Sequence, residues 1–326
     1  MHDVLIFAYP LVDLVVQMNG VFPIKAGEFK LLRTLTLEPG GSANTVFVGT
    51  RLGLDVVHVG AVGQDFYGDY LQQTYKNEGT DNRYIQQLSS YKTHVIMCLN
   101  DKEGDHAYVS MLEGLSIGTP CPDDLIRNCR AIYISGHMLA VGDAEEATLS
   151  LLKKVRNTGQ IIFFDPTQTF GMISKESMDA VLAVTDVLVA NHIEAAGISG
   201  AETPEDAAPI LSRLIRGIVV IKSGAKGCYV YQNGTGVWYE GFSVPLVDTV
   251  GAGDSFLGAF MRGIIDDWDI ETTCIVANAT GAAKAQKAGS GTQVPTLDEV
   301  LHILNTNGYH VTKEQMMNRS EKLIIA

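Results

Sequence analysis

Asp248-Thr249-Val250-Gly251-Ala252-Gly253-Asp254-Ser255-Phe256 stands between a β-like run at residues 237–240 and a strongly amphipathic pattern at residues 252–265. Two glycines at such a junction let the backbone come close to a ligand. The first turn of the following helix leaves its N–H groups without intrahelical partners, at the positive end of the helix dipole. A helix start of this kind binds anions, phosphate above all. A carboxylate inside an anion site is out of place unless it takes up a proton during a reaction. Asp254 therefore reads in one of two ways. It is a general base for a hydroxyl, with residues 251–253 stabilising charge on a transferred group, or it is a helix cap after a tight turn. The segment alone leaves the two even.

Other phosphate-binding patterns are excluded directly. The chain has no Gly-Lys dipeptide, so a Walker A loop is ruled out. The dinucleotide spacing fails because Phe256 stands where a third glycine is needed. Protein-kinase H-R-D and D-F-G runs are missing, the nearest being Asp65-Phe66-Tyr67.

Working outward, short Val- and Ile-rich runs at residues 4–8, 56–59, 131–134, 161–164, 187–189 and 218–221 read as buried strands. Helical patterns lie between them at 66–77, 144–157, 177–184 and 204–216, and the chain turns helical at 252–265, 271–287 and 297–304. This alternation predicts an α/β fold with a mainly parallel sheet covered on both faces. Ligands in such folds sit beyond the carboxyl ends of the strands. Residues 14–38 and 91–115 break the rhythm with β-rich, polar-interrupted sequence. Structureless loops above about 12–15 residues are uncommon, so these two segments are expected to pair into a small sheet standing off the main body. Residues 305–326 carry no firm pattern and read as a strand and tail serving an oligomer.

Composition bounds the function. The 326 residues are 46% hydrophobic and 19% charged, with a formal net charge of −13. That balance argues against a general nucleic-acid binder, which needs a basic footprint. The five cysteines, Cys98, Cys121, Cys129, Cys228 and Cys274, are scattered and form no C-x-x-C pair, as expected of reduced thiols. The N-terminal stretch lacks a basic region and a signal-length apolar segment. No apolar stretch is long enough to span a bilayer. The expectation is a cytoplasmic protein without membrane or nucleic-acid partners.

Several motifs in order make the sequence resemble the PfkB family of carbohydrate kinases, the ribokinase-like group. Asp248–Asp254 matches every fixed position of that family's C-terminal signature, Asp-Thr-x-Gly-Ala-Gly-Asp. Gly40-Gly41-Ser42-Ala43-Asn44, running on to Arg51-Leu52-Gly53, resembles the N-terminal glycine signature. Gly63-Gln64-Asp65-Phe66-Tyr67-Gly68, Asn191-His192-Ile193-Glu194 and Lys222-Ser223-Gly224-Ala225-Lys226-Gly227 follow in the family's order. The resemblance covers nearly the whole chain. It implies a single three-layer ribokinase-like domain over 1–326, with a mainly parallel central sheet and a β-sheet lid built from 14–38 and 91–115.

The resemblance also implies roles. Asp254 would take the proton of a substrate hydroxyl as it attacks the γ-phosphate of ATP, with Gly251, Ala252 and Gly253 as the anion hole. Asp13, Gly40, Gly41 and Asn44 would bind the sugar, although this chain has one residue fewer than usual between the glycines and Asn44. His137 is either a further substrate contact or a plain loop histidine. Asn191 and Glu194 would serve Mg²⁺ and phosphate placement, while also forming a common capping pair. Lys222, Ser223, Gly224 and Gly227 would pass the nucleotide, and Asn278 would lie near the adenine. Asp248 and carbonyls near Val250 and Gly289 would hold K⁺.

Asp165-Pro166-Thr167-Gln168-Thr169 replaces the relatives' Asp-Pro-Asn-x-Arg, and Ser42 stands where kinases of phosphorylated sugars often carry Lys. The first departure argues against substrates that need an arginine there, notably keto-deoxy-gluconate, and the two together favour an unphosphorylated sugar or nucleoside, the sugar leading. The alternatives are a nucleoside, with Phe22, Phe29, Tyr91 or Tyr108 stacking on the base, and a non-catalytic sugar or nucleotide sensor. A small sheet with one apolar face needs cover, which predicts a homodimer through the lid.

Overall fold

His2–Phe7 forms the first strand, β1, and its side chains alternate between two cores: Val4 and Ile6 pack to one face, Leu5 and Phe7 to the other. A strand buried on both faces needs helices on both faces, and that requirement sets the three layers. The computed structural model describes residues 1–103, 106–110, 117–118, 121–140, 143–156 and 158–325.

The further strands are β2 (Leu11–Met18), β3 (Leu32–Gly40), β4 (Val56–Gly63), β5 (Ile85–Leu88), β6 (His94–Asn100) and β7 (His106–Ser110). They are followed by β8 (Cys129–Ser135), β9 (Ile161–Asp165), β10 (Val187–Asn191), β11 (Ile218–Lys222), β12 (Cys228–Gln232) and β13 (Thr235–Tyr239). Nine of them form one sheet in the order β13-β12-β11-β10-β9-β8-β1-β4-β5. Strands β11 through β5 in that order run parallel, and β12 and β13 return antiparallel. The order grows in opposite directions from β1, towards β4 on one side and β8 on the other. A crevice opens at such a switch point, beyond the strands' carboxyl ends. Helices Ser42–Arg51, Ala252–Ile265, Ile270–Ala285 and Leu297–Thr306 cover one face. Helices Ala144–Val155, Lys175–Leu182 and Pro204–Ser212 cover the other.

The remaining strands form the lid, in the order β3-β2-β6-β7. It is a mixed sheet: β2 pairs antiparallel with β3 but parallel with β6. The lid's inner row contains Leu11, Val15, Ile96 and Cys98, all buried. The lid strands begin at Leu11 and end at Gly40, wider than the expected 14–38. Residues 104–105 and 111–115 of the second expected segment lie outside the described residues.

The expected strand in the tail is a correction. Residues 305–326 contain the helix Lys313–Met317, capped by Thr312 and Gln315, and then a tail that packs on its own domain. Arg319 donates to Asp3 Oδ1 at 2.9 Å and to Asp266 Oδ1 at 2.6 Å, and Leu323 is buried. Two nearly buried carboxylates and an apolar socket draw the tail onto the body. Helix Ser42–Arg51 also went unread, because its Thr- and Val-rich sequence is poor in helix formers. Its residues 42–49 are all buried, so packing overrides propensity. No described helix is long and apolar enough to cross a membrane.

Candidate active site

Successive parallel strands end on polar residues that meet at one place. Asp165 closes β9, Asn191 closes β10, Lys222 closes β11, and His137 follows the end of β8. The lid's inner face adds Asp13, Ile96, Cys98 and Tyr108, and two helix starts bring Asn44 and Asp254. These residues line a polar cleft of about 260 Å³. A second cleft, about 610 Å³ and mainly apolar, runs past Gly224, Gly227, Phe242, Val244, Leu246 and Asn278. The two clefts share Asn191, Lys222, Thr249 and Gly253.

Asp254 sits at that junction. Asn44 Nδ2 donates to its Oδ2 at 2.9 Å. Gly251 begins the helix with φ +75°, a left-handed conformation that glycine adopts freely. The Ala252 amide closes a turn onto the Thr249 carbonyl at 3.1 Å. Among the described residues the Gly251, Gly253 and Asp254 amides have no backbone acceptor. A helix start with such unpaired donors is the arrangement that suits an anion, and Ala252 shapes the turn with its own N–H engaged. Burial pushes the Asp254 carboxyl up to about 6 and the Asp165 charge adds to it, against the pull of Lys222 and Asn44.

Asp13 faces Asp254 across the polar cleft. Ser290 Oγ donates to its Oδ2 at 2.9 Å. Burial raises the Asp13 carboxyl to about 7, Ser290 opposes this, and the Asp254 charge reinforces it. Gly40 is glycine for a steric reason, since a Cβ there would lie 2.1 Å from Asp13 Cγ. Gly41 lines the cleft, whereas Gly40 makes room for the carboxylate.

Lys222 Nζ lies 3.1 Å from Asp165 Oδ2. Burial pulls that ammonium down, but Asp165, Glu194 and Asp254 outweigh it and hold the lysine charged. Asn191 caps helix His192–Ser199, accepting from the Ile193 and Glu194 amides, and Glu194 Oε2 accepts from the Asn191 amide at 2.8 Å. The capping box is therefore real. Burial, then the Asp165 charge, pushes the Glu194 carboxyl up to about 7, which marks a place that would gain from a cation.

Residues 1–297 match the pfkB family carbohydrate kinase. The chain belongs to that family. It is 27% identical over 304 residues to the nucleoside kinase of Methanothermobacter thermautotrophicus, covering 92% of this chain and 94% of that protein. It is 25% identical over 319 residues to the probable fructokinase-4 of Arabidopsis thaliana, covering 92% and 96%. A putative ribokinase II from E. coli, solved in complex with ATP and Mg²⁺, superposes with a TM-score of 0.79 at 22% identity, covering 94% of this chain and all of that one. The fold is ribokinase-like.

In this pfkB-family kinase the expected residues distribute unevenly. Asp13, Gly41, Asn44, His137, Asn191, Glu194, Lys222, Val250, Gly251, Gly253 and Asp254 line the polar cleft. Gly224, Gly227, Ala252 and Asn278 line the apolar one. Ser223, Asp248 and Gly289 line neither. Asn278 Nδ2 donates to the Tyr239 and Glu240 carbonyls at 3.2 and 3.1 Å, fixing the cleft wall. Burial holds the His137 imidazole below its ordinary range, against the pull of Asp165, so it stands neutral in the cleft. Sequence reasoning missed Asp165 as the partner of Lys222 and Ser290 as the partner of Asp13. An Asp closing a buried strand was the available signal for the first. Nothing local marked the second.

Proposed function

We propose that this kinase transfers the γ-phosphoryl group of ATP to a hydroxyl of an unphosphorylated sugar. The observation that carries the proposal is the position of Asp254, beside free helix-start amides, where a polar cleft opens into an apolar one. A sugar in the first cleft and a nucleotide in the second would meet there. Asp254 takes the hydroxyl proton as the sugar oxygen bonds to the γ-phosphorus, and the bond from that phosphorus to ADP breaks. The Gly251 and Gly253 amides and Lys222 stabilise charge on the transferred group. Asn191 and Glu194 would hold Mg²⁺, which would supply neutralising charge to the phosphates.

The acceptor follows from the lining. Lys222 is the one lysine or arginine lining the polar cleft among the described residues, and Asp165 engages it. No free cation awaits a phosphate already on the substrate, which supports an unphosphorylated acceptor. Of the lid aromatics that would stack on a base, only Tyr108 lines the cleft among the described residues; Phe29 is exposed and Tyr91 is buried elsewhere. That favours a sugar over a nucleoside. The intact Asp254 and its amides argue against a sensor. A coupled ADP-release assay over pentoses, hexoses and nucleosides tests the reading. Turnover with a sugar, abolished in Asp254→Asn, is expected. Full turnover by Asp254→Asn, or turnover with nucleosides alone, overturns it.

The lid supports a homodimer. Its outer row runs through Leu35, Leu37, Leu14, Met97 and Val109, of which Leu35, Met97 and Val109 are exposed. All five thiols are free and buried, in keeping with a cytoplasmic protein.

A further inference from the structure

Lys284 is the one lysine without exposed surface among the described residues. It stands in the last turn of helix Ile270–Ala285, and its Nζ donates to the Lys287 carbonyl at 2.9 Å. A buried ammonium with three donors and one protein acceptor is costly and needs compensation by nearby negative charge. Burial pulls the Lys284 ammonium down to about 8 and the Lys287 charge adds to this, while Asp248 and then Asp254 oppose it and leave it mainly charged at neutral pH.

The surroundings are the crevice between two loops. The Val247 and Asp248 amides donate to the Ala285 carbonyl at 2.8 and 3.2 Å. Asp248 Oδ1 accepts from the Val250 amide at 3.0 Å, and Oδ2 accepts from the Gly289 amide at 2.8 Å. Two residues on, the Gly291 amide donates to Asn44 Oδ1 at 2.6 Å, and Asn44 holds Asp254. Lys284 thus underlies the loop that carries Gly251 and the loop that fixes Asn44.

This is the crevice in which the sequence resemblance implied K⁺, and its donor set does not fit that ion. Both Asp248 oxygens accept backbone amides, and an ammonium fixed within the protein already holds the Lys287 carbonyl. A second monovalent cation in this crevice would share it with a buried like charge.

We propose that the Lys284 ammonium is the resident cation of these two loops, so that the enzyme works without K⁺ or any other monovalent cation. Lys284 is a positioning residue. Through its bond to the Lys287 carbonyl, beside the Ala285 carbonyl that holds the Val247 and Asp248 amides, it keeps residues 248–251 and 289–291 at the spacing that Asp254 needs. The proposal rests on the kinase reading above, and its test includes a measurement that does not depend on turnover.

The wild-type enzyme and Lys284→Ala, Lys284→Met and Lys284→Arg are compared in tetramethylammonium chloride, KCl and NH₄Cl at equal ionic strength, by sugar-dependent ADP release and by thermal unfolding. Wild type and Lys284→Arg should show the same kcat and the same Tm in all three salts. Lys284→Ala and Lys284→Met should lose about tenfold or more in kcat in tetramethylammonium, with a smaller change in sugar KM. K⁺ or NH₄⁺ should restore part of the kcat of Lys284→Ala and raise its Tm, because the emptied space admits a small cation and excludes tetramethylammonium. Strong activation or stabilisation of the wild type by K⁺ overturns the proposal. So does a folded Lys284→Ala that is fully active in tetramethylammonium, or one that neither small cation restores. If Lys284→Ala does not fold, the salt response of wild type and Lys284→Arg decides. If no sugar supports ADP release, the sugar-kinase reading fails, while the salt dependence of Tm still tests the cation assignment.

Discussion

Asn44 Nδ2 donates to Asp254 Oδ2 at 2.9 Å while Asn44 Oδ1 accepts the Gly291 amide at 2.6 Å, so one side chain fixes the Asp254 carboxylate to a distant loop. The donated N–H favours the ionised form of Asp254 and opposes its burial. Asn44→Ala should therefore move the acid limb of kcat/KM to higher pH and cost about 10- to 100-fold at neutral pH. A pH–rate profile checks this. An unmoved limb with reduced rate would mean that Asn44 orients Asp254 without tuning it.

The pH dependence of stability has a definite sign. Asp254 stands at about 6, and Asp13 and Glu194 at about 7, all above the ordinary carboxylate range. A raised folded value means that the folded state holds these protons more tightly than the unfolded state. The associated stability is full below about pH 4 and is lost as pH climbs through 6 and 7. This cluster lowers the melting temperature of the ligand-free protein between pH 5.5 and pH 8, against the buried His58, His94 and His137, whose depressed values favour folding as pH rises. Glu194→Gln should flatten that fall while reducing kcat. Calorimetry across pH checks both, and an unchanged slope in Glu194→Gln would remove Glu194 from the cluster.

Much of this site is legible in sequence because its motifs are short and local. The run from Asp248 to Asp254 encodes a turn and a helix start, and the structure has both. Asn191 and Glu194 are three residues apart and form the capping box that such spacing allows. What escapes is pairing over distance. Ser290 reaches Asp13 across 277 residues, and Lys222 meets Asp165 across 57. Neither pairing leaves a periodic trace, because each depends on which strand ends the sheet order brings together. The tail escaped for the same reason, since Arg319 is a routine surface residue until Asp3 and Asp266 lie beside it.

Removing the Asp165 charge should act opposite to removing Asn44. Asp165 raises both Asp254 and Glu194, and it engages Lys222 at 3.1 Å. Asp165→Asn is expected to shift the acid limb of kcat/KM to lower pH. Lys222, left with a neutral partner, should raise the KM for ATP. Steady-state kinetics over pH test the pair of effects, and a limb that moves upward would contradict the charge argument.

The tail predicts a separation of stability from activity. Arg319 bridges Asp3 and Asp266, each 7% exposed at the side chain. Arg319→Ala leaves Asp3 with Arg130, and Asp266 with Arg130 and Arg262. Because Arg319 itself is about one-third exposed, solvent moderates the loss to about 1–2 kcal/mol. Chemical unfolding should read that loss, with kcat near wild type well below the Tm. A large fall in kcat would show that the tail reaches the site.

A dimer through the lid would link assembly to substrate capture. The lid's inner row presents Asp13, Ile96, Cys98 and Tyr108 to the cleft, while Leu14, Met97 and Val109 form a register row on the outer face. A four-stranded sheet standing off the body, apolar on its outer face, is stable when a second copy covers that face. Leu35→Lys combined with Met97→Glu places charges on that face without touching the cleft. Light scattering should find the wild type a dimer and the double variant a monomer. Loss of the partner should loosen the strand that carries Asp13, raising the sugar KM more than it lowers kcat. Asp254 and the helix start at residues 251–253 belong to the main body, so the pH of the acid limb should stay in place. A wild type that scatters as a monomer, or a monomeric variant with unchanged sugar KM, would separate the lid's two faces and leave substrate capture to the single chain.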